Sequence, residues 1–408
     1  MNKFTSFALV SLFVYLLKMP VGGAPGTIPG SSTLHGKVMV GYQGWFNCKG
    51  DGANLGWTHW TRHSKKDFGP GNVTVDLWPD MSGYAAEERY PTGFRHADGS
   101  PAEVFSSANR ATVLTHFKWM QEYGIDGAFL QRFANGLTST VLRGHKDTVL
   151  SHVREGSRVS SRVYAVMYDL SGLNESQVSW VKDDWEMLSG KLKITQDAGY
   201  LHHRGKPLVA VWGVGFNDNR KYSLLECYDL VKWLNSSGYS VMLGVPTYWR
   251  EMKRDSINDP MLHQMIRECD VLSPWTVGRY NSPQNAARHA QNVMKPDIQW
   301  AREHGIDYLP VLFPGFSWRN MRGGDAKLGQ IPRLKGEFYW SQFKAAKESG
   351  AQMAYVAMFD EVDEATAIFK CTNNPPVGDG VEFLTYEGLP SDHYLRLTGE
   401  GGKLLRGE

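Results

Sequence analysis

Cysteine is scarce: Cys48, Cys227, Cys269 and Cys371 are the only four in 408 residues. So few exclude a disulfide-stapled scaffold, and the absence of any CxxC pair excludes a zinc ribbon or a thioredoxin-type redox motif. Net charge is nearly absent, with 44 Lys and Arg against 42 Asp and Glu. That balance leaves no basic footprint for nucleic acid or for an anionic membrane surface. There is no HExxH, no calcium loop and no cluster of histidines, so the motifs call for neither a metal nor a cofactor. Long apolar runs are missing after the start. Phe7–Leu17 is apolar apart from Ser11, but it is shorter than the roughly 20 residues a spanning helix needs. With Lys3 before it and Pro20-Val21-Gly22-Gly23-Ala24 after it, this run reads as a secretory signal peptide over residues 1–23, cleaved near Gly23 or Ala24. The mature protein is then expected to be secreted and to have no membrane association. Three sequons, at Asn72, Asn174 and Asn235, are compatible with a glycoprotein.

What the chain has in quantity is aromatic residues: 14 Trp, 18 Tyr and 18 Phe. Large rings fill cores, and they also pack on the flat faces of sugars, so their positions decide. A second recurring feature is a glycine that ends a helical stretch just before a strand. It occurs at Gly124, Gly199, Gly238, Gly305 and Gly350. Glycine closes helices cheaply because it adopts the left-handed conformation. Helix and strand alternating at this spacing predict parallel βα units.

Short apolar runs, as expected of strands buried on both faces, lie at Lys37–Tyr42, Gly127–Leu130, Arg162–Tyr168, Pro207–Trp212, Val241–Val245, Val271–Ser273, Tyr308–Phe313 and Met353–Phe359. Helical patterns fall between them at Arg110–Tyr123, Leu225–Leu234 and Phe338–Lys347, and a final helix is expected over Ser391–Leu405. Eight such strands predict an α/β fold, a (β/α)8 TIM barrel with long loops, forming a single domain over residues 24–408. The segment Phe46–Ala108 is long and rich in Gly and aromatics, with an extended piece expected at Val73–Trp78. Loops of that length inside a domain are usually functional.

In such barrels the chemistry sits at the C-terminal ends of the strands. Here those ends carry Tyr42 and Trp45, then Gln131, Asp169, Tyr248, Trp249, Trp318 and Arg319, with His59 and Trp60 in the long first loop. The last strand runs into Asp360, Glu361, Asp363 and Glu364. Polar and aromatic residues together suit a cleft for an oligo- or polysaccharide. Two carboxyl groups flanking a scissile bond are the usual equipment for glycoside hydrolysis. Four acids within five residues repel one another, so at least one should bind its proton more tightly than usual, as a general acid at neutral pH requires. His202 and His203 precede a strand and so belong to the opposite end of the barrel.

The segment Phe359-Asp360-Glu361-Val362-Asp363-Glu364-Ala365-Thr366 resembles the Phe-Asn-Glu-Trp-x-Glu-Gly-Thr segment of glycoside hydrolase family 99, the endo-acting α-mannosidases. It is also similar to a related segment of the family 71 α-1,3-glucanases. Gly56-Trp57-Thr58-His59-Trp60 looks like the His-Trp loop of family 99, and Pro314-Gly315-Phe316 with Arg319 looks like its Pro-Gly-Tyr loop. In character the chain is most similar to the 99/71-like branch of unassigned substrate, often labelled xylosidase or arabinosidase. The resemblance implies Glu364 as general acid/base and Glu361 as the base toward the sugar 2-hydroxyl, which attacks its own anomeric carbon with overall retention. It supports His59 and Trp60 as sugar contacts, while their positions at strand ends and in the loops there make Tyr42, Trp45, Gln131, Asp169, Tyr248, Trp249, Trp318, Arg319 and Asp360 the other candidate contacts. Asp360, Val362 and Asp363 depart from the family pattern.

Two other readings stand beside this one. A substrate-assisted N-acetylhexosaminidase would use Asp360 to orient an acetamido group next to Glu361, and a non-catalytic carbohydrate-binding barrel would need neither acid. One structural expectation follows from barrel closure. Cys48 follows the first strand and Cys371 the last, so the two are expected to be neighbours and able to form a disulfide.

Overall fold

The computed structural model describes Ile28 and residues 30–408, so the expected signal segment lies outside the described residues. β1 (Val38–Tyr42) is followed by the long first loop, which carries the antiparallel hairpin β2 (Tyr90–Arg95) and β3 (Pro101–Val104). Then come α1 (Arg110–Glu122), β4 (Gly127–Phe133), α2 (Thr140–Ser160), β5 (Val163–Asp169), α3 (Ser179–Glu186), β6 (His202–His203) and β7 (Lys206–Trp212). The chain continues through α4 (Leu224–Ser236), β8 (Ser240–Pro246), α5 (Met261–Ile266), β9 (Val271–Trp275), α6 (Pro283–His289) and α7 (Lys295–Glu303). It ends with β10 (Asp307–Tyr308), β11 (Val311–Leu312), α8 (Glu337–Glu348), β12 (Ala354–Val356) and α9 (His393–Arg406). Among the described residues no helix is long and apolar enough to cross a membrane.

Nine strands form one curled parallel sheet in the order β10-β9-β8-β7-β5-β4-β1-β12-β11, with β6 added antiparallel to β7. The two ends of that path, β10 and β11, are separated in the chain only by Leu309 and Pro310. Across the gap Leu309 N–H donates to Leu272 O at 2.8 Å, and Pro310 O accepts from Tyr355 N–H at 2.9 Å. Expected strand seven is therefore split in two pieces, one paired with β9 and one with β12. Proline has no N–H to give a ladder, which accounts for the break. The other expected strands match observed ones with ends shifted by a few residues. Val73–Trp78, in contrast, forms no strand; the regular structure in that loop is the hairpin β2–β3.

Local chemistry sets the boundaries. At the start of α4, Ser223 Oγ accepts from Glu226 N–H (3.2 Å) while the Glu226 carboxylate accepts from Ser223 N–H (2.7 Å), a reciprocal capping box. Gly124, Gly238, Gly305 and Gly350 all have positive φ, between +69° and +94°, as their helix-closing role demands. Gly199 does not share that role. A Cβ there would lie 2.1 Å from Ser157 Oγ, so close packing requires this glycine.

The cysteine expectation is corrected. All four cysteines are free and buried. Cys48 donates from Sγ to Phe105 O at 3.0 Å, inside the aromatic packing of the first loop, and Cys371 lies beside Tyr386. β1 and β12 pair side by side, but the loops that follow them carry the thiols to different partners. Native protein should thus react negligibly with a thiol reagent, and four thiols should titrate once it is unfolded in denaturant. A count of two thiols in denaturant would contradict this arrangement.

Candidate active site

Side chains alternate across a strand, and that alternation sorts the expected site residues. On β1, a Cβ at Gly41 would meet Met358 and Tyr355 inside the sheet, so Gly41 and Gln43 face inward. Tyr42 faces outward. It is fully buried, and its hydroxyl meets His116 Nδ1 of α1 at 2.8 Å. Trp249 points the same way, with Nε1 donating to Asp297 of α7 at 3.1 Å. Trp60 packs between Phe46, Phe68 and Phe105 in the first loop. These three expected sugar contacts are core residues, because a strand-end or loop position does not reveal which face the side chain takes.

The acidic segment is anchored from the β1 side. Phe359 N–H donates to Gly41 O at 2.7 Å, which extends the β12–β1 pairing. The Asp360 carboxylate then accepts from the N–H groups of Gln43 (2.8 Å) and Gly44 (2.9 Å). Asp360 has no exposed surface, and burial lifts its pKa to about 7. It locks the turn after β1 and has no face left for a ligand.

Glu361 is held at both oxygens. Gln43 Nε2 donates to Oε1 at 2.9 Å and Thr366 Oγ1 donates to Oε2 at 2.7 Å. Gln43 and Thr366 were not among the expected site residues, although the inward alternation of β1 pointed to Gln43. Asp363 Oδ2 lies 3.1 Å from His59 Nδ1, and the His59 ring stacks on Trp45 with centroids 3.7 Å apart. Asp363 Oδ1 is buried with no hydrogen-bond partner among the described residues.

Glu364 stands where two cavities meet. A smaller one of about 410 Å³ is lined by Trp45, His59, Glu361, Asp363 and Glu364. A larger one of about 1110 Å³ is lined by Glu364 with Tyr248, Trp275, Phe316 and Trp318. Burial, then the neighbouring Asp363 charge, raises the Glu364 pKa to about 7, against a lowering pull from Arg322. Burial followed by the charges of Glu364 and Asp363 also lifts Glu361 well above the carboxylate range. The two groups titrate together, so the pair retains a proton near neutrality. Gln43 and Thr366 donate to Glu361, and among the described residues the Glu364 carboxyl has no such donor. Burial opposes a charge on Glu361 more strongly than on Glu364, but these two donors work against it, and hydrogen bonding favours the charge on Glu361 and the proton on Glu364.

The loop above this pair is tied to the first loop by Asp76. Its buried carboxylate accepts from Ser317 Oγ (2.5 Å), Arg319 N–H (2.7 Å) and Asn320 N–H (2.8 Å). Trp318 is thereby set over the larger cavity. The Arg319 side chain turns away to Glu382 at 3.1 Å. Gln131 and Asp169 lie inside the sheet and line neither cavity. Gln131 donates to Tyr355 Oη at 2.9 Å, and burial raises Asp169 to about 6. His203 meets Asp307 at 2.9 Å among residues that precede β7 and open β10, at the starts of the strands, whereas the acidic segment follows the end of β12.

This curled parallel sheet, flanked by helices, is an α/β architecture of the TIM-barrel-like kind found among glycoside hydrolases. The family 99 endo-α-mannosidase from Bacteroides thetaiotaomicron superposes with a TM-score of 0.65 over 92% of this chain and 99% of that one, at 16% identity. Its complex with bis-tris-propane gives 0.64. A glycoside hydrolase-like protein gives 0.52 over 84% of this chain and 98% of its own, at 12% identity. At such identities the likeness is one of fold. No protein-family model matches the chain, and no curated protein matches it.

Proposed function

We propose that the protein is a glycoside hydrolase with the (β/α)8-barrel form, its seventh strand running through Asp307–Leu312, and that Glu364 is its general acid/base. The position of Glu364, lining both cavities with Glu361 beside it in the smaller one, carries this reading. A glycan lying in both cavities has its scissile bond at Glu364, which suits cleavage within a chain. In this reading Glu364 protonates the leaving oxygen. Glu361, its charge supported by Gln43 and Thr366, draws the proton from the sugar 2-hydroxyl so that this oxygen attacks the anomeric carbon. A water that gives its proton to Glu364 then attacks the anomeric carbon, the bond from that carbon to the 2-oxygen breaks, and Glu361 returns its proton to the 2-oxygen, with overall retention. The solved relatives in fold that are named as glycoside hydrolases support the class. The hexosaminidase alternative loses its main support, because both oxygens of Asp360 are engaged by backbone N–H groups.

Secretion is part of the same proposal. Of the three sequons, Asn174 is exposed, whereas Asn72 and Asn235 spend their amides on carbonyl oxygens of His63, Asp67 and Glu268. Asn174 is the best acceptor.

The direct test incubates the protein with a panel of natural polysaccharides and identifies the sugars released. Release from none of them would overturn the class. A finer test uses pH. Asp363 contributes negative charge that raises the proton affinity of Glu364, so Asp363→Asn lowers that affinity. The acid form is then lost at lower pH, and the alkaline limb of the kcat/KM profile should move down from its wild-type position. An unmoved limb would show that Glu364 is not the group that limits activity there.

A further inference from the structure

The larger cavity has a charge pattern that hydrolysis alone does not require. Three arginines, Arg254, Arg279 and Arg288, line it, and its other charged residues are Glu251 and Glu364. Glu251 is already compensated, with Arg250 at 3.5 Å and Lys253 at 3.9 Å. Arg279 gives Nε to Asp255 at 2.8 Å; that carboxylate also accepts from the N–H groups of Thr247 and Tyr248 at 3.1 Å each. The terminal nitrogens of Arg279 have no protein partner among the described residues. Arg254 has no carboxylate partner among the described residues. It donates to the Tyr248 hydroxyl at 2.7 Å and lies over that ring at 4.4 Å. Arg288, exposed on α6, makes no ion pair or hydrogen bond among the described residues.

Arg254 is also held deliberately. Its φ is +55° and that of Met252 is +50°, both in the left-handed region that non-glycine side chains rarely occupy. Such backbone persists where the surroundings impose it, and it concentrates at ligand-binding positions. A stacked guanidinium with nitrogens to spare, on a wall shared with Glu364, is suited to a planar pair of oxygens.

We propose that the larger cavity binds an acidic sugar, one bearing a uronate carboxylate or a sulfate or phosphate ester, within the glycan whose scissile bond lies at Glu364. The proposal rests on the glycosidase reading for the position of the bond, but not for the recognition of the charge. Arg254 and Arg288 supply the uncompensated cations, and Arg279 supplies a third whose terminal nitrogens remain free.

The test measures binding to the Glu364→Gln protein, so that nothing is cleaved, with matched neutral, uronate-containing, sulfated and phosphorylated oligosaccharides. Acidic members should bind more tightly, and the preference should shrink as salt is added. The charged series that wins identifies the source of the anion. A charged hydrogen bond is worth enough that Arg254→Gln and Arg288→Gln should each cut the acidic-over-neutral preference about tenfold. Arg254→Lys should restore only part of it. The exposed Arg288 side chain makes no ion pair or hydrogen bond among the described residues, so Arg288→Glu keeps the test sound should Arg254 variants misfold; it should reduce the preference further. A preference absent from the outset, or indifferent to both arginines, overturns the proposal. The same protein without the Glu364 change separates the two ideas. Arginine-dependent acidic preference without cleavage of any glycan would retain this site and remove the glycosidase reading. Cleavage of neutral glycans with no acidic preference would do the reverse.

Discussion

Glu364→Gln is expected to lose about 10²- to 10⁴-fold of its turnover on natural glycans, the usual cost of removing a general acid. The amide cannot give a proton to the leaving oxygen, and nothing else lining both cavities is placed to do so. A glycosyl fluoride needs no proton to depart, so the first chemical step on that substrate should be largely spared. Glu361→Gln should behave differently. Its partners Gln43 and Thr366 both donate to the carboxylate, and an amide in its place would turn an N–H toward one of them. The base toward the sugar is gone, so the variant should be slow on every substrate, however good the leaving group. Kinetics of both variants on a natural glycan and its fluoride make the comparison. Equal losses on both substrates would defeat the assignment and direct attention to Asp363, the remaining acid in the smaller cavity.

Arg132→Leu is expected to cost about 3–5 kcal/mol of folding stability, the range for breaking a buried ion pair by removing one partner. Arg132 is 1% exposed and faces outward from β4. Its Nε and Nη2 donate to the two oxygens of Asp184 at 2.6 and 2.7 Å, and Nη2 also reaches Asp147 at 2.7 Å. Without the guanidinium, the buried Asp184 keeps, among the described residues, only the hydrogen bond from the Tyr168 hydroxyl at 2.7 Å. The double variant Arg132→Leu with Asp184→Leu removes both charges and should recover most of the loss. Urea unfolding of wild type, both single variants and the double variant gives the coupling directly. A single-variant loss under about 1 kcal/mol would mean that water reaches the pair. Arg132 stands beside Gln131, and the pair shows why strand-end residues sort poorly by sequence: one faces the sheet interior, the other the helices.

The parallel alternation of strands and helices was legible in the chain because its signals are local. Helix-closing glycines at Gly124, Gly238, Gly305 and Gly350, and apolar runs spaced by amphipathic stretches, depend only on neighbours within a few residues. The acidic segment was legible for the same reason, since Asp360, Glu361, Asp363 and Glu364 are adjacent and follow an apolar run. Which of these acids faces a ligand was not. Asp360 and Glu361 are consecutive, yet one is sealed by the turn after β1 and the other opens into a cavity. That outcome depends on contacts across more than 300 positions of chain, such as Gln43 to Glu361. The same distance dependence misled the expectation for Cys48 and Cys371: adjacent strands do not fix where the following loops carry a side chain. Sequence alone determined the parallel alternation and the location of the acids, because both are written in short-range patterns. Tertiary structure decided that Tyr42, Trp60 and Trp249 pack the core and that Trp45 and His59 stack beside Glu361. It also gathered three arginines on one wall, two of them with no carboxylate partner among the described residues, because only the folded sheet settles which face each side chain takes and what charge meets it there.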